Sequence, residues 1–308
     1  MASRKIRYFQ SRLVVLFLVV LLPASASSQV IGNGYNNSLI YKIHGEKNTV
    51  YLLGSIHVLA EEYYPLTRAF SYAYYNSQKV VFEIDPEILF STSIPKKFEK
   101  MLKLPKGQSL KTVLSPKTYG LLKKTFEDLG ADWSQIHQYK PWVMYLMLGV
   151  PFDSSVEFRA DLGIENHFFR MAKDAGKETG GLESIKDQLN VFDKLSLTEQ
   201  DQLLWDLLSL KDSKDHQKAF LKMVKDWHQG NLDDLEKMVE AQKKYPKFYK
   251  AILVDRNRNW IPQIEAFLKE ENNVLIVVGA AHLAGKDGLI TLLHEKGHTL
   301  ERVSFARP

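Results

Sequence analysis

The sequence predicts an α/β protein with a central mixed, mainly parallel sheet and a large helical insertion. Two observations support this fold class: short apolar strand patterns gather at both ends of the chain, and helical patterns fill its middle. A length of 308 residues suits one or two domains. Because the chain has no low-complexity tract and no long linker, we expect a single domain over residues 29–308, with the insertion at about 86–260.

The predicted strands are short apolar runs bounded by turn residues, at 39–44, 49–54, 79–84, 177–183, 273–279 and 299–305. The first two, separated by four residues, predict a hairpin. The third, KVVFEI, is typical of a strand that is buried on both faces. The last two are joined by a predicted helix at about 285–296, and this strand–helix–strand pattern favours parallel pairing.

The predicted helices lie mainly between the third strand and the fifth. Ser115-Pro116 has the N-cap and first-turn residues of a helix that ends near Gly130. Apolar residues recur at helical spacing from Ser154 to Ala175, and further helices follow from Ser184 to about residue 268. The short strand at 177–183 interrupts this helical region.

The first 28 residues have the pattern of a secretory signal peptide. Basic residues precede an apolar run from Leu13 to Leu22, and Ala24-Ser25-Ala26 matches the A-x-A cleavage pattern. An uncleaved anchor is the alternative, but the run is short against the roughly 20 residues of a membrane span. We therefore expect a periplasmic or secreted protein that is soluble after signal removal.

Composition excludes several kinds of function. Residues 1–26 hold four of the 41 basic side chains and none of the 36 acidic ones, so the mature net charge is 37 − 36 = +1. Since no run of lysine or arginine is interleaved with aromatic residues, no nucleic-acid binding is expected. The chain has no cysteine, which excludes disulfides, a thiol nucleophile and cysteine metal ligands.

Two turns of the same pattern carry the candidate chemistry. YLLGSIH at 51–57 and IVVGAAH at 276–282 both place glycine, two small or apolar residues and then histidine after an apolar strand. Ligands of open α/β sheets bind beyond the carboxyl ends of the strands. Two such turns on neighbouring strands would direct His57 and His282 at one crevice, where neutral imidazole is a common metal ligand. A structural role remains the alternative for each histidine.

Two carboxylates stand at similar strand ends. Glu83 lies near the end of the KVVFEI strand, and Asp85 lies on the same face of an extended chain. Glu183 follows a Gly-Gly pair just before a predicted helix. Either of the last two acids could instead cap a helix or lie in its first turn, favoured by the helix dipole. Both interpretations stay open from the sequence alone.

These residues together resemble the TraB/GumN family, which includes the membrane-anchored Tiki metalloproteases. The resemblance rests on an ordered set of motifs: GSIH at 54–57, VVFEID at 80–85, GIENHFFRMAKDAGKETGGLES at 163–184, DRN at 255–257 and VVGAAHLAGKDGL at 277–289. It implies an erythromycin-esterase/ChaN-like fold with both histidines at a metal. His57 and His282 match the histidines of the family, Glu83 and Glu183 match its acids, and DRN provides its Arg-Asn pair.

One position departs from the family pattern. Where the family usually has Gly-Ile/Val-Asp, this chain has Gly163-Ile164-Glu165. The extra methylene displaces the carboxylate, so we do not expect Glu165 to bind a metal unless the backbone compensates.

The leading functional hypothesis is an exported metal-dependent hydrolase acting on a peptide or small molecule of the cell envelope. His57, His282 and Glu183 or Glu83 would bind Mn²⁺, Zn²⁺ or Co²⁺, whose bound water becomes the nucleophile. A remaining carboxylate would act as general base. Arg256 would hold an oxyanion or a substrate carboxylate, or would pair with Asp255 or Glu265. A non-catalytic binding protein and a haem or iron carrier are the alternatives.

Residues 294–298 read HEKGH, which is literally the H-E-x-x-H pattern of a zinc protease. That site needs His294 and His298 one turn apart on a continuous helix. Gly297 is instead typical of a helix end, and the ten residues after His298 are too few to supply a further ligand. We therefore interpret this segment as the end of a helix.

Overall fold

The computed structural model describes residues 35–89, 96–149, 157–211 and 214–306. The predicted signal peptide at 1–28 lies outside these ranges, and so do residues 150–156, which include the predicted start of one helix. Within the described residues, no helix combines the length and apolar character that a membrane span requires.

One mixed sheet organises the described residues. Its strands are β1 (Tyr35–His44), β2 (Thr49–Ser55), β3 (Lys79–Phe82), β4 (Glu178–Gly181), β5 (Val274–Gly279) and β6 (Leu300–Ala306). They lie in the order β4-β3-β5-β2-β1-β6. Pairing is parallel from β4 to β2 and antiparallel where β1 meets β2 and β6. The structure thus confirms the predicted mixed, mainly parallel sheet and the hairpin of the first two strands.

The predicted pairing of the last two strands is wrong. β6 runs in the direction of β5, but β2 and β1 lie between them, so the connecting helix crosses two strands. Burial explains this arrangement. Every residue of β5 is buried, which requires a partner strand on each side and cover on both faces, whereas β6 alternates between exposed and more buried residues and suits the sheet edge.

The helices lie mostly between β3 and β5 in the sequence. They are α1 (Arg68–Tyr75), α2 (Pro86–Leu89), α3 (Lys96–Leu102), α4 (Leu110–Val113), α5 (Pro116–Asp128), α6 (Trp133–Ile136), α7 (Pro141–Leu148), α8 (Ile164–Asp174), α9 (Ile185–Asp193), α10 (Leu197–Lys211), α11 (Lys214–His228), α12 (Leu232–Ala241), α13 (Pro246–Tyr249), α14 (Asp255–Phe267) and α15 (Leu289–Glu295). Short 3₁₀ turns lie at Glu61–Tyr63, Ala160–Leu162, Gln242–Lys244 and Ala280–His282, and a π-helical turn covers Lys250–Val254.

The helix predicted from Ser154 begins ten residues later, at Ile164. The preceding residues are held away from helical geometry because the backbone of Arg159 forms an antiparallel bridge with Leu59. Gly163 is the N-cap, and its φ of −60° and ψ of 152° end the extended segment. This bridge matters for the site, since it fixes the start of α8 against the turn that follows β2.

Two clusters of buried apolar side chains fill the molecule. One surrounds the sheet and includes α1, α8, α11 and α12, and the other lies among helices α3 to α7, α9, α10 and α13. A cavity opens where the clusters meet at the carboxyl edge of the parallel strands, with Phe192 of the helical cluster facing Phe220 of the sheet cluster. The predicted site residues border this cavity.

Candidate active site

The four candidate side chains come from the ends of four parallel strands. His57 lies two residues after β2, Glu83 directly after β3, Glu183 two residues after β4 and His282 three residues after β5. Because these strands run in the same direction, their carboxyl ends share one edge of the sheet. β2 and β5 are direct neighbours, with Gly54 paired to Val278. The two Gly-x-x-His turns therefore lie side by side, as the sequence predicts.

The lack of a side chain at Gly279 leaves a notch among the site residues. A methyl group added there would lie 3.2 Å from His57 Nε2, 3.3 Å from Glu83 Oε1 and 3.6 Å from the Cδ2 atom of His282. The φ of Gly279 is −52°, which any residue adopts. The glycine is therefore needed for space and not for backbone freedom.

Glu83 is a buried carboxylate that accepts hydrogen bonds on both oxygens. Oε1 accepts from the Gly279 backbone N–H at 2.8 Å, and Oε2 accepts from Arg256 Nη2 at 2.5 Å and from Gln188 Nε2 at 3.2 Å. Burial opposes ionisation, but the charge of Arg256, together with both histidines, outweighs it and lowers the pKa of Glu83 to about 2. Glu83 is thus charged at neutral pH.

Arg256 is the buried cation at the centre of the site. Nε and Nη2 donate to the Glu183 carboxylate, at 3.0 Å and 2.7 Å, and Nη2 also reaches Glu83. Nη1 donates to the Ile252 carbonyl at 3.2 Å and to His282 Nε2 at 2.9 Å. These bonds use all five N–H groups of the guanidinium. The predicted role in holding an oxyanion therefore has no free donor in this arrangement.

Both ion pairs proposed as alternatives for Arg256 are wrong. Asp255 pairs with Lys250 and Lys194, and Glu265 contacts His298 at 3.2 Å. Glu183, predicted as a metal ligand, is instead the main partner of Arg256. Burial raises the pKa of Glu183, and the nearby Arg256 charge opposes that effect.

Asn257 determines the protonation of His282. Its Nδ2 donates to the carbonyls of His282 and Asp287 at 3.2 Å and 2.7 Å, so its Oδ1 must face His282 Nδ1, which lies 2.6 Å away. The ring therefore carries its proton on Nδ1 and accepts from Arg256 on Nε2. Burial and the Arg256 charge lower the pKa of His282 to about 3, so the ring is neutral at physiological pH.

Trp260 packs against this pair of side chains. Its indole ring is fully buried, with the Arg256 guanidinium 4.7 Å and the His282 ring 4.5 Å from its centre. A cation over an aromatic face is attracted to it, most strongly when desolvated. The ring helps to fix both Arg256 and His282.

Glu165 is the partner of His57, a role that sequence reasoning missed. Its Oε1 lies 2.6 Å from His57 Nδ1 and accepts a short hydrogen bond from Ser55 Oγ. The contact between Glu165 Oε1 and the ring is close, but His57 Nδ1 has no hydrogen bond of acceptable geometry. Glu165 Oε2 is also buried without a hydrogen-bond partner. Burial lowers the pKa of His57, but the charges of Glu165 and Glu83 outweigh that effect and raise it.

The fold brings Glu165 to His57 through the backbone. The Ile164 N–H donates to the Ile56 carbonyl at 3.1 Å, which joins the start of α8 to the turn after β2. A side chain at Gly163 would collide with the His57 carbonyl, so this approach requires glycine. The Gly-Ile-Glu motif is the sequence signal for this contact. From the sequence, Glu165 of this motif is considered only as a metal ligand and not as the partner of a histidine.

Gln188 is a second missed residue. It lies on the apolar face of α9, between Ile185 and Leu189, where a polar side chain is unusual. It is 2% exposed and lines the cavity, and its Oε1 has no hydrogen-bond partner. Helical spacing in the sequence shows this polar residue on an apolar stripe, which was the available signal.

The cavity beside these residues has a volume of about 100 Å³. One end is polar and is formed by His57, Glu83, Gln188, Arg256 and His282. The remaining walls are apolar and come from α9, α11, α12 and the π-helical turn. Trp227 of α11 donates from Nε1 to the Gly54 carbonyl at 2.8 Å, which anchors this helix to the end of β2.

The predicted metal ligands do not form a metal site as they are placed. Within the described residues, no group of three histidine, cysteine, aspartate or glutamate side chains is arranged to hold an ion. A metal would bind the lone pair of His282 Nε2, but this lone pair accepts from Arg256. The guanidinium thus supplies the positive charge that the sequence analysis assigned to a metal, and the arrangement does not fit a bound ion.

Two other predictions about polar residues are confirmed. The HEKGH segment ends a helix, because α15 stops at Glu295 and Gly297 has a φ of +90°. Asp85 belongs to a helix start, since its Oδ1 accepts from the Glu87 N–H at 3.0 Å. The corresponding helix-cap interpretation of Glu183 is wrong, because the adjacent Ser184 caps α9.

Comparison with known proteins assigns the chain to a family. The sequence model of the TraB/PrgY/gumN family matches residues 39–302. The chain belongs to this family. An uncharacterized protein of Treponema pallidum is 21% identical over 93% of this chain and 92% of its own length. No solved structure matches the chain.

Two relatives with a named activity match over a smaller share of their own length. Metalloproteases TIKI1 and TIKI2 of Danio rerio are each 21% identical and match 88% and 84% of this chain. The chain spans 64% and 59% of the length of these two relatives. The metalloprotease activity in these names is that of the two relatives.

Proposed function

We propose that this protein is an exported hydrolase that cleaves peptides, with His57 as the base that activates water. The observation that carries the proposal is the placement of His57 between a carboxylate and the notch at Gly279, on the wall of a cavity. The names of the Tiki relatives support peptide substrates.

His57 has the surroundings that a general base needs. Glu165 faces Nδ1, and the opposite nitrogen, Nε2, faces the notch beside Glu83. A neutral ring with its proton on Nδ1 would accept a proton from water on Nε2. The nearby carboxylates then stabilise the imidazolium that forms, as an aspartate does for histidine in serine proteases.

Arg256 and Asn257 are positioning residues in this proposal. Arg256 joins Glu83, Glu183 and His282 into one network, and Asn257 fixes the tautomer of His282. Glu83 is then held where its Oε1 can accept from the attacking water beside His57. His282 forms the opposite side of the notch with its Cδ2 edge.

Metal dependence stays a prediction. The Tiki relatives, which are named metalloproteases, favour it, while the bond from Arg256 to His282 opposes it. Manganese, zinc and cobalt remain the candidate ions if the site rearranges. Elemental analysis of purified protein, before and after incubation with each ion, measures occupancy directly. About one equivalent that is lost in both His57→Ala and His282→Ala would support the metal hypothesis.

A peptide-library screen tests the hydrolase itself, with and without added divalent ions and a chelator. We expect cleavage that is lost in His57→Gln, and retained in the surface variant His298→Gln, because His298 lies at the end of α15 away from the cavity. Equal cleavage by wild type and His57→Gln would contradict the proposal and indicate a contaminant.

Export is proposed from the first 28 residues alone, which resemble a cleaved signal. Cell fractionation and amino-terminal sequencing of the mature protein test it. A mature chain that begins near residue 27 to 29 in the envelope fraction or the medium is expected. Full-length protein confined to the cytoplasm would contradict it.

Ligand binding without turnover is the second candidate function, favoured by the full engagement of the five Arg256 N–H groups. Saturable binding of a peptide with no cleavage at any metal content would support it. A haem or iron carrier is the third hypothesis, and a Soret band on addition of haem to the purified protein would support it.

A further inference from the structure

The cavity beside the site combines two features that point to one kind of occupant. Its walls away from the site are apolar, with contributions from Phe192, Phe220, Met223, Leu235, Val239 and Leu253, all of them buried. Gln188 lines its polar end, and the Oε1 atom of this side chain is a buried hydrogen-bond acceptor that no described residue satisfies.

The orientation of the Gln188 amide follows from its partners. Glu83 Oε2 accepts from Arg256, whose guanidinium is always a donor, so this oxygen can only receive the N–H₂ end of Gln188. Nε2 therefore faces Glu83, at 3.2 Å, and Oε1 faces away from it. A buried acceptor without a donor is costly, and such atoms in native proteins usually find a partner in water or a ligand.

The size of the cavity limits the occupant. Its volume of about 100 Å³ compares with roughly 150 Å³ for an apolar cavity that binds benzene, so it accommodates about four non-hydrogen atoms. That suits the side chain of valine or leucine and excludes an indole ring. Trp227, the indole on the cavity wall, already donates to Gly54, so it leaves no free polar group among the apolar walls.

We propose that this cavity is a subsite for a short aliphatic side chain of the substrate, whose adjacent amide N–H donates to Gln188 Oε1. The inference rests on the proposed hydrolase only for the statement that the occupant is a substrate. It names the substrate class as peptides with valine or leucine at the position beside the site. Val239 and Gln188 are the residues that determine this preference.

Neutral N-acetyl amino-acid amides test the subsite without any need for turnover. Binding of the glycine, alanine, valine, leucine and tryptophan compounds to the mature chain is measured by calorimetry or ligand-observed NMR. Affinity should rise about fourfold for each buried carbon from glycine to leucine. It should fall again for tryptophan. An equal affinity across the series would overturn the proposal.

Two variants of the wall test the location. Val239→Ala enlarges the cavity and should shift the preference toward phenylalanine amide, whereas Val239→Phe should abolish the advantage of leucine over glycine. Val224→Ala is the matched control, because Val224 is equally buried in the same cluster but does not line the cavity. A change of preference in the control, or none in the Val239 variants, would contradict the assignment.

The hydrogen bond to Gln188 is tested by removing the donor. N-acetyl-N-methyl-leucinamide should bind wild type about tenfold more weakly than N-acetyl-leucinamide, because it leaves Oε1 unpaired. In Gln188→Leu the two compounds should bind equally. A tenfold difference that persists in Gln188→Leu would show that another group reads the N–H, and the proposal would fail.

The two proposals fail separately. Size-selective binding without cleavage would end the hydrolase proposal and keep the subsite. Cleavage that depends on His57 but shows no preference for valine or leucine would keep the hydrolase and end the subsite. Circular dichroism of every variant confirms that each is folded before binding is compared.

Discussion

Replacing Arg256 by glutamine should reverse the direction in which the ionisation of Glu83 makes the stability of the protein depend on pH. In the wild type, the buried guanidinium neutralises the carboxylates of Glu83 and Glu183. In Arg256→Gln both carboxylates lose their cation while they stay buried. Removal of one partner from a buried ion pair typically costs about 3–5 kcal/mol. We expect a loss of this size at pH 7.

The pH dependence follows from Glu83. Its pKa falls from an ordinary 4.5 to about 2 in the folded protein. At 1.36 kcal/mol per pKa unit, this corresponds to about 3 kcal/mol of stability. Because the folded pKa is the lower one, this stability is present above pH 4.5 and is lost as the pH falls toward 2. The raised pKa of Glu183 acts in the opposite direction and reduces the net slope.

In Arg256→Gln the pKa of Glu83 should rise above its ordinary value, since burial is no longer offset. Protonation of Glu83 at low pH then removes an unpaired buried charge and stabilises the variant. In the wild type the same protonation weakens the ion pair with Arg256 and lowers stability. The stability difference between the two should therefore shrink from about 3–5 kcal/mol at pH 7 to less than half of that near pH 3.

Urea unfolding followed by tryptophan fluorescence, from pH 3 to pH 7, measures this difference. Lys123→Gln is the control, because Lys123 pairs with Glu127 at 2.9 Å on the exposed surface, where an ion pair contributes little to stability. The reasoning is wrong if Arg256→Gln loses less than about 1 kcal/mol at pH 7, or if its difference from wild type does not change with pH.

Three further substitutions test the rest of the site. Gly279→Ala should destabilise the fold by about 1–3 kcal/mol, because the new methyl group lies close to His57 and Glu83 although the φ of this position allows alanine. It should abolish cleavage by filling the notch, and normal turnover would show that the notch is not used. Glu165→Gln should lower kcat/KM about tenfold to a hundredfold and move the acidic limb of its pH profile to lower pH, because in the wild type this limb follows the raised pKa of His57. An unchanged acidic limb would exclude His57 as the base. Asn257→Leu should lower the free energy of unfolding in urea by at least about 2 kcal/mol, because it leaves His282 Nδ1 and two carbonyl groups unpaired. A smaller loss would mean that water replaces the amide.

The strand ends were predictable from the sequence because each carries its own local signal. Apolar runs followed by Gly-x-x-His located His57 and His282, and the KVVFEI run of β3 indicated a strand that is buried on both faces. The order of the strands was harder. No local sequence pattern shows whether β6 pairs with β5 or with β1, because the pairing depends on which strands flank β5.

The interior of the site depended on contacts between distant segments. Glu165 reaches His57 across 108 positions through a backbone bridge that no helical or strand pattern shows. The sequence placed Arg256 among the candidate residues but did not predict its partners, because Glu83 and Glu183 follow two strands that are distant from α14 along the chain. The metal prediction used residue types alone, and residue types do not show that a guanidinium bonds to one of the imidazoles.

The π-helical turn at Lys250–Val254 links the cavity wall to the charged centre. Ile252 and Leu253 line the cavity, and Arg256 and Asn257 follow within the same continuous helical segment. A π turn accommodates one residue more than an α turn does, so the residues after it keep the facing that an α-helix one residue shorter would give them. Deletion of a single residue from this turn would therefore restore α-helical geometry and keep Arg256 directed at both carboxylates, while it changed the side chains that the turn presents to the cavity. In alignments of related chains, a one-residue gap at this position is compatible with an intact charged centre and a different cavity wall.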